Sequence, residues 1–491
     1  MTYRHALVIA GFLLAAAPAA ELRASGVLPA RQNDAPLAVM PSAAVSPPMQ
    51  PDYSERLPIP PGAKLTLSQA ISIALSNHPL AKQASDETRA AGERTAQARS
   101  YLAPQVLGVA QYLRTTDNGI GNTNFYNIDG AFPRLTGTNH NLPAGDFTQS
   151  SETSDNYLGG IAVSQFLFDL GRRRGYVAQR RFEAEAAAAQ ERLTDLELIF
   201  EVSQCYFQLL EARQMVKVFE KALEQRGFHN HEAEVKAKAG LRPQLDVYIT
   251  QAEVERAQLH LVDARNARDD AKVALDNALG SGEDAPDYEP AEVLTYSQIH
   301  DTPEALLKTA FELRPDLKIV EDQARAMGAQ ITEYRSDYFP TLSAVGGYTG
   351  VGTGLPVVNN FSAGIVLTWP LFNGFLTDHQ IAEASLQQRA LEHEIEDRRQ
   401  RIILDVKTAF LNWQSSLERI DRAEKTLAAS RVEIKLAEKR YQAGLSDIVE
   451  LEDAERQYTE DDAEYANSLY GYSIAKAAVD RASGRALSTL R

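Results

Sequence analysis

The chain has 491 residues, a formal net charge of −16 and a single cysteine. An acidic chain is a poor partner for nucleic acid, because phosphate backbones attract basic surfaces. The lone Cys205 excludes an intrachain disulfide and a metal site built from several cysteines, and its apolar helical surroundings predict a core position. The length alone suggests roughly two to four domains.

The N-terminus has the pattern of a secretory signal peptide, which we predict over residues 1–25. Arg4 and His5 precede an apolar run that ends near Ala20, where small residues suit a cleavage site. A Pro-rich segment over 26–64 follows and is expected to be extended. No later stretch approaches the roughly 18 uninterrupted apolar residues of a membrane helix, so a membrane span of the mature chain would have to consist of β-strands.

The remainder of the chain is an internal duplication. Residues 78–112 match residues 314–348 at an offset of 236, and residues 160–280 match residues 364–484 at an offset of 204. The difference of 32 means that the first copy has a longer loop between its two strands. The repeats are predicted over 65–280 and 303–484, with an acidic connector over 281–302 and a C-terminal tail over 485–491.

Both repeats are predicted to contain the same elements: a helix, a β-hairpin, a long helix and a shorter helix. The predicted bounds in the first repeat are 66–100, 104–168 (strands 104–113 and 157–168), 172–238 and 243–279. Those in the second repeat are 303–336, 340–372 (strands 340–349 and 361–372), 375–442 and 446–483.

The second long helix gives the strongest periodic signal in the sequence. The segment from Leu376 to Tyr441 contains neither Pro nor Gly, and its apolar residues recur at steps of three and four. At 1.5 Å per residue such a helix is roughly 100 Å long and must pack against other helices along its whole length. The apolar stripe consists of Ile402, Val406, Ala409, Trp413, Leu417, Ile420 and Leu427.

The four predicted strands alternate large apolar residues with small or polar ones. Alternation over about ten residues, with aromatic residues near the strand ends, is typical of a membrane barrel. A half-buried sheet in a soluble protein would show the same alternation. The candidate membrane-facing residues are Tyr157, Ile161, Val163, Phe361, Ile365, Leu367 and Trp369.

Four strands cannot close a barrel, since closure takes about eight, and an open sheet with an apolar face and free edges would aggregate. Several chains must therefore pool their strands, and three chains would supply twelve. The predicted fold class is mainly α with a small β part: long antiparallel helical hairpins form an α-barrel, and four transmembrane β-strands per chain complete a 12-stranded barrel in a trimer. The loop over 114–156 would lie at the outer end of these strands.

This arrangement resembles the TolC-like outer-membrane efflux proteins, the outer-membrane factors of tripartite efflux and type I secretion. The resemblance covers about 65–484 and rests on the duplication, on Arg440–Gly444 and Val449–Leu451, and on Leu371–Gly374 before the long helix. It implies a homotrimer in the outer membrane of a Gram-negative-type cell, with the strands in lipid and the helices in the periplasm. The implied partners are a periplasmic adaptor protein and an inner-membrane transporter of the RND, MFS or ABC type.

The resemblance also implies a narrow aperture at the helical tips. Glu450 and Asp453 match carboxylates that narrow the tunnel in the family. Three copies of each would concentrate negative potential and favour cations. The alternative is that both carboxylates lie on an ordinary solvated helix face.

In some members of the family, an Arg and a Tyr hold the tip closed by bonding an Asp of the first repeat. Tyr441 and Asp246 match the Tyr and the Asp. Ser446 stands where the Arg is expected, so this part of the lock is missing. Arg242, in the other turn, is the candidate replacement.

Each long helix is followed by a Gly-Leu pair, Gly240-Leu241 and Gly444-Leu445. Glycine permits the left-handed residue that ends a helix. The leucine has two interpretations: it packs back onto its own helix, or it docks onto a partner. The resemblance implies docking onto the helical hairpins of the adaptor.

No catalytic or metal-binding motif stands out. His229 and His231 do not share a helix face, so with Glu232 they make poor joint ligands. Phosphate-binding glycine loops, nucleophile arrangements and zinc spacings are absent from the sequence. We therefore expect no enzymatic activity, no cofactor and no metal, and an energy source in a partner.

The predicted function is a passive, gated outer-membrane exit duct that carries small molecules out of the periplasm as part of a tripartite efflux pump. Two alternatives stay open. The chain could be the outer-membrane component of a type I protein secretion system, or a periplasmic coiled-coil scaffold without a pore.

Overall fold

The computed structural model of the chain describes residues 62–116, 153–281, 287–291, 300–352 and 356–487. The predicted signal peptide, the Pro-rich segment up to residue 61, most of the predicted outer loop and the last four residues of the tail lie outside these ranges.

The two repeats contain the same series of long elements. The first repeat comprises β1 (Ala63–Leu65), α1 (Leu67–Asn77), α2 (Pro79–Ser100), β2 (Gln105–Thr116), β3 (Thr153–Phe168), α3 (Arg172–Lys238) and α4 (Gln244–Ala278). The connector holds β4 (Tyr288–Pro290). The second repeat comprises α5 (Pro303–Leu313), α6 (Pro315–Ser336), β5 (Thr341–Gly352), β6 (Val358–Thr368), α7 (Leu376–Gln442) and α8 (Ile448–Ala482), followed by a short 3-10 turn (Arg485–Leu487).

The first helical segment of each repeat is two helices rather than the predicted one. The break falls at His78 in the first repeat and at Arg314 in the second, each with an extended backbone. Each is followed by a proline. A proline disfavours the helical backbone conformation in the residue before it, and proline itself is common at the first position of a helix. His78 also caps α2, because its Nδ1 accepts a hydrogen bond from the Leu80 N–H at 3.2 Å.

The connector contains a strand that the sequence analysis did not predict. β4 pairs in parallel with β1. The Tyr206 hydroxyl of α3 lies 2.8 Å from the carbonyl oxygens of both Leu65 and Ala291, next to the two strands. The small sheet thus fixes the connector against the first long helix.

The other four strands form one antiparallel sheet in the order β2-β3-β5-β6. The hairpins of the two repeats join through β3 and β5, where Ile161 pairs with Tyr348. β2 and β6 are the two edges of this sheet. β6 ends at Thr368, short of the predicted residue 372, and the indole N–H of Trp369 donates to the Tyr338 carbonyl at 3.1 Å.

The long helices α3 and α7 contain 67 residues each. α3 packs against α2, α4, α6 and α8, so it lies between the two repeats. The predicted apolar stripe of α7 is confirmed: six of its seven residues are buried, and Leu417 is partly buried against the same cores. Among the helices within the described ranges, none combines the length and the apolar character that a membrane crossing requires.

Each long helix starts after two consecutive residues with a left-handed backbone. In the first repeat these are Leu170 (φ 50°) and Gly171 (φ 98°), and in the second they are Gly374 (φ 68°) and Phe375 (φ 63°). A left-handed conformation costs roughly 1–2 kcal/mol for a residue other than glycine. The same backbone corner therefore joins strand to helix in both repeats, with the glycine at a different place in each.

Candidate functional site

The two helical tips have nearly identical backbones. Gly240 (φ 72°) ends α3 and Gly444 (φ 73°) ends α7. The N–H of Leu241 donates to the Lys236 carbonyl at 2.9 Å, and the N–H of Leu445 donates to the Arg440 carbonyl at 2.8 Å. This is the hydrogen-bond pattern of a Schellman cap, which satisfies carbonyl groups that the helix end leaves free.

Neither tip leucine packs onto its own helix. Leu241 is 74% exposed and Leu445 is 71% exposed. A leucine contributes to stability only when its side chain leaves water, so these side chains do little for the isolated chain. Of the two interpretations offered by the sequence, the exposure argues against the capping contact.

Arg242 of the first tip contacts the second tip. Its Nη2 donates to the carbonyl oxygens of Tyr441 at 3.2 Å and Ser446 at 3.1 Å, and its guanidinium carbon lies 4.7 Å from the centre of the Tyr441 ring. The Lys236 ammonium is also 4.7 Å from that ring. Two hydrogen bonds and a cation–π contact thus join the two hairpins at their ends.

Tyr441 is 1% exposed, and its hydroxyl has no hydrogen-bond partner among the described residues. Asp246 is also buried. Burial and then the nearby Asp246 carboxylate raise the pKa of Tyr441. The tyrosine and aspartate singled out by the sequence are therefore neighbours, but Arg242 rather than a Tyr–Asp hydrogen bond makes the direct link between the tips.

Each predicted aperture carboxylate has a cationic neighbour on the same chain. Glu450 Oε1 lies 2.8 Å from Arg440 Nε, and Asp453 Oδ1 lies 3.5 Å from Arg456 Nη2. All four side chains are exposed, and exposed ion pairs contribute only about 0–1 kcal/mol. Neither arginine was predicted from the sequence, although Arg456 is one helical turn from Asp453 and Arg440 belongs to the segment that carries the resemblance.

The candidate membrane-facing residues form an exposed apolar surface on the sheet. Phe361 is 79% exposed and Ile365 is 69% exposed. Ile161, Val163, Leu367 and Trp369 are exposed too. Tyr157 is half-buried, with its ring centre 5.2 Å from that of Tyr112. Apolar surface of this extent on one chain is typical of a protein or membrane interface.

His229 is buried and takes part in contacts between helices. Its Nε2 lies 2.7 Å from Glu455 Oε1 of α8, a contact that the sequence analysis missed because it considered neighbours on one helix only. His231 makes no such contact among those the structure shows. Within the ranges the structure covers, no group of three or more His, Cys, Asp or Glu side chains is arranged to hold a metal ion.

The sequence matches the model of the outer membrane efflux protein family over residues 70–281 and 306–485. The outer membrane protein TolC of Salmonella enteritidis is 25% identical over 440 residues, which cover 83% of this chain and 81% of TolC. The alkaline protease secretion protein AprF of Pseudomonas aeruginosa is 24% identical over 428 residues, which cover 84% of this chain and 82% of AprF.

Solved structures share the fold. The Campylobacter jejuni CmeC outer membrane channel superposes with a TM-score of 0.71 at 17% identity and covers 85% of each chain. This likeness confirms the predicted fold class of long helical hairpins with a small β part. Because the family model matches most of its length, the chain belongs to the outer membrane efflux protein family.

Proposed function

We propose that three copies of this chain form a passive exit duct, which carries small molecules from the periplasm across the outer membrane and is gated at the helical tips. One observation supports this proposal most strongly. A four-stranded sheet with an exposed apolar face continues, within a few residues, into two helices of 67 residues each. A sheet that contacts lipid and is joined to helices roughly 100 Å long suits a conduit between two compartments.

The free sheet edges support the trimer. Among the strands that the structure describes, β2 and β6 each have a neighbour on one side only. An exposed strand edge favours pairing with another chain. Pairing β6 of one copy with β2 of the next would close a barrel of twelve strands from three copies. The same rotation would arrange the helical hairpins around a common axis.

The exposed tip leucines support docking of a periplasmic adaptor. Leu241 and Leu445 occupy equivalent places in the two repeats and are exposed to almost the same degree. Three chains would present six such leucines in a ring. A helical hairpin with an apolar stripe is the partner that would bury them, and an inner-membrane transporter would supply the energy.

The carboxylates near the tips support a cation-favouring aperture. Glu450 and Asp453 lie in the first two turns of α8, beside the turn that joins it to α7. Three copies around a narrow axis would give six carboxylates and six partner arginines, but Arg456 is shared with Glu460, so the arginines offset the carboxylates only in part. We infer that the aperture is negative and that the two arginines moderate its charge.

Single-channel conductance in a planar bilayer tests the duct and the aperture together. We expect discrete cation-selective openings from the wild-type protein. In Glu450→Ala/Asp453→Ala the cation preference should fall towards none, most clearly at low ionic strength, because screening beyond about 10 Å is strong at 0.1 M salt. Glu433→Ala, which removes an exposed carboxylate of α7, should keep the wild-type preference.

The outcomes separate the alternatives. Openings whose selectivity the double substitution leaves unchanged would place the aperture elsewhere. A folded protein that extracts from cells without detergent and never inserts into the bilayer would favour the scaffold without a pore.

Protein export is the second candidate function. AprF, a protein named for alkaline protease secretion, is about as similar to this chain as TolC is. The two functions differ in their partners, so deletion of this protein distinguishes them. Loss of a secreted protein from the medium would indicate export, whereas increased sensitivity to small toxic compounds would indicate efflux.

A further inference from the structure

The two hairpins also meet in a buried charged cluster about three helical turns from the tips. Arg226 and His229 of α3 lie in it together with Glu452 and Glu455 of α8. These two helices belong to different repeats, and their side chains come together only where the hairpins α3/α4 and α7/α8 pack side by side. The cluster places four ionisable side chains in the buried contact between the hairpins.

Three members of the cluster form ion pairs. His229 Nε2 and Glu455 Oε1 are 2.7 Å apart, with Glu455 only 3% exposed. Arg226 Nη1 is 3.0 Å from Glu253 Oε2 of α4 and also donates to the Glu253 carbonyl at 3.3 Å. Each pair joins a cation of α3 to a carboxylate of a neighbouring helix.

Glu452 is the cluster member for which the described residues provide no ion pair. It is 8% exposed, and neither carboxylate oxygen has a hydrogen-bond partner among the described residues. A buried carboxylate that is charged and unpaired is very costly, and such a group takes up a proton instead. Burial, and next the repulsion from Glu455, raise the pKa of Glu452 to about 7.

The other charges act in both directions: Arg226 and His229 lower the pKa of Glu452, but burial and the neighbouring carboxylates outweigh them. Burial lowers the pKa of His229, but the neighbouring carboxylates raise it more, so the net shift is upward. These carboxylates are Glu455, followed in size of effect by Glu232 of α3 and Glu438 of α7. Glu232 is itself balanced by Lys236, whose Nζ is 2.7 Å from Glu232 Oε1. With one proton on Glu452 and one on His229, the positive Arg226 and His229 match the negative Glu253 and Glu455.

We infer that this cluster is a proton-binding joint, which holds the two helical hairpins together near the tips while Glu452 and His229 are protonated and loosens when they lose their protons. The inference goes beyond the proposed function, and neither depends on the other. Both groups bind protons more tightly in the joint than in an unfolded chain. Stability is therefore greatest on the acidic side, falls as the pH rises through the raised pKa values, and stays low above them.

Hydrogen exchange of the full-length protein in detergent tests the joint directly. We expect amide protection in the segments of α3 and α8 around His229 and Glu455 to fall roughly tenfold between about pH 6 and about pH 8, after correction for the intrinsic exchange rate. The apolar centre of α7 around Ile402 should keep its protection. Equal protection of the joint at both pH values would overturn the inference.

Two variants identify the groups responsible. Glu452→Gln has the shape of the protonated acid and should lose much less protection than the wild type between the two pH values, with the remaining loss due to His229. Glu460→Gln, the same change at an exposed position of α8, should retain the wild-type pH dependence. A Glu452→Gln protein that loosens with pH as the wild type does would contradict the proposed role of Glu452.

Infrared difference spectroscopy adds a test on the wild-type protein, so its result does not depend on how a substitution affects folding. A protonated carboxyl group should give a C=O stretching band that disappears as the pH is raised through about 7. Absence of this band from the folded protein on the acidic side would overturn the inference as well.

Discussion

Ile365→Arg is expected to prevent the protein from assembling in the outer membrane. Ile365 lies near the middle of β6 and is 69% exposed. If this face contacts lipid, an arginine at the bilayer midplane destabilises the barrel by about 2–4 kcal/mol. A trimer contains three such arginines, so this destabilisation applies three times. The measurement is the amount of protein in the outer-membrane fraction and the share that migrates as a trimer in mild detergent.

Ser362→Arg is the matched control for this prediction. Ser362 belongs to the same strand and lies three positions before Ile365. Side chains alternate between the two faces of a strand, so an odd offset places Ser362 on the opposite face of the sheet. An arginine there should be tolerated much better, since it would face the lumen of a barrel. Equal losses for the two variants would mean that the apolar face of the sheet does not contact lipid.

Arg242→Ala is expected to raise the ratio of open to closed time of the channel by roughly a hundredfold, because the closed tip loses two hydrogen bonds and a cation–π contact of about 1 kcal/mol each. The contacts that disappear are those to the Tyr441 and Ser446 carbonyls and to the Tyr441 ring. Single-channel recording measures the effect as the fraction of time spent open. Arg242→Lys should have an open probability between those of the wild type and Arg242→Ala. Lysine keeps the positive charge but lacks the planar guanidinium group with its several donors.

Lys238→Ala serves as the control for charge at the same tip. Its side chain is exposed and makes only a long contact of 3.9 Å to Glu234. The open probability should stay close to that of the wild type. If Arg242→Ala and Lys238→Ala behave alike, net charge at the tip rather than the link between the hairpins controls opening.

Much of the architecture could be predicted because it depends on local patterns. The stripe from Ile402 to Leu427 predicted the packing of α7, and the absence of Gly and Pro predicted its length. The small sheet was missed because a strand of three residues, such as Tyr288–Pro290, shows no alternation. The helix break could have been predicted from Pro79, since the residue before a proline avoids the helical region.

The site was less predictable because its contacts join distant parts of the chain. Arg242 and Tyr441 are 199 positions apart, and no periodicity links them. Arg242 could be named as a candidate because the resemblance implies an arginine at the tip, and Ser446 occupies its expected position. His229 and Glu455 lie on helices of different repeats, so a search for ligands on one helix could not pair them.

The left-handed corners show how to align the two halves of this chain. A comparison that seeks the most identities would place Gly171 opposite Gly374 and would need a gap of one residue to do so. The backbone shows that no gap exists, because the left-handed pair and the first helical residue, Arg172 or Leu376, occupy matching positions at the offset of 204. Two different sequences, Leu-Gly and Gly-Phe, therefore encode one bend.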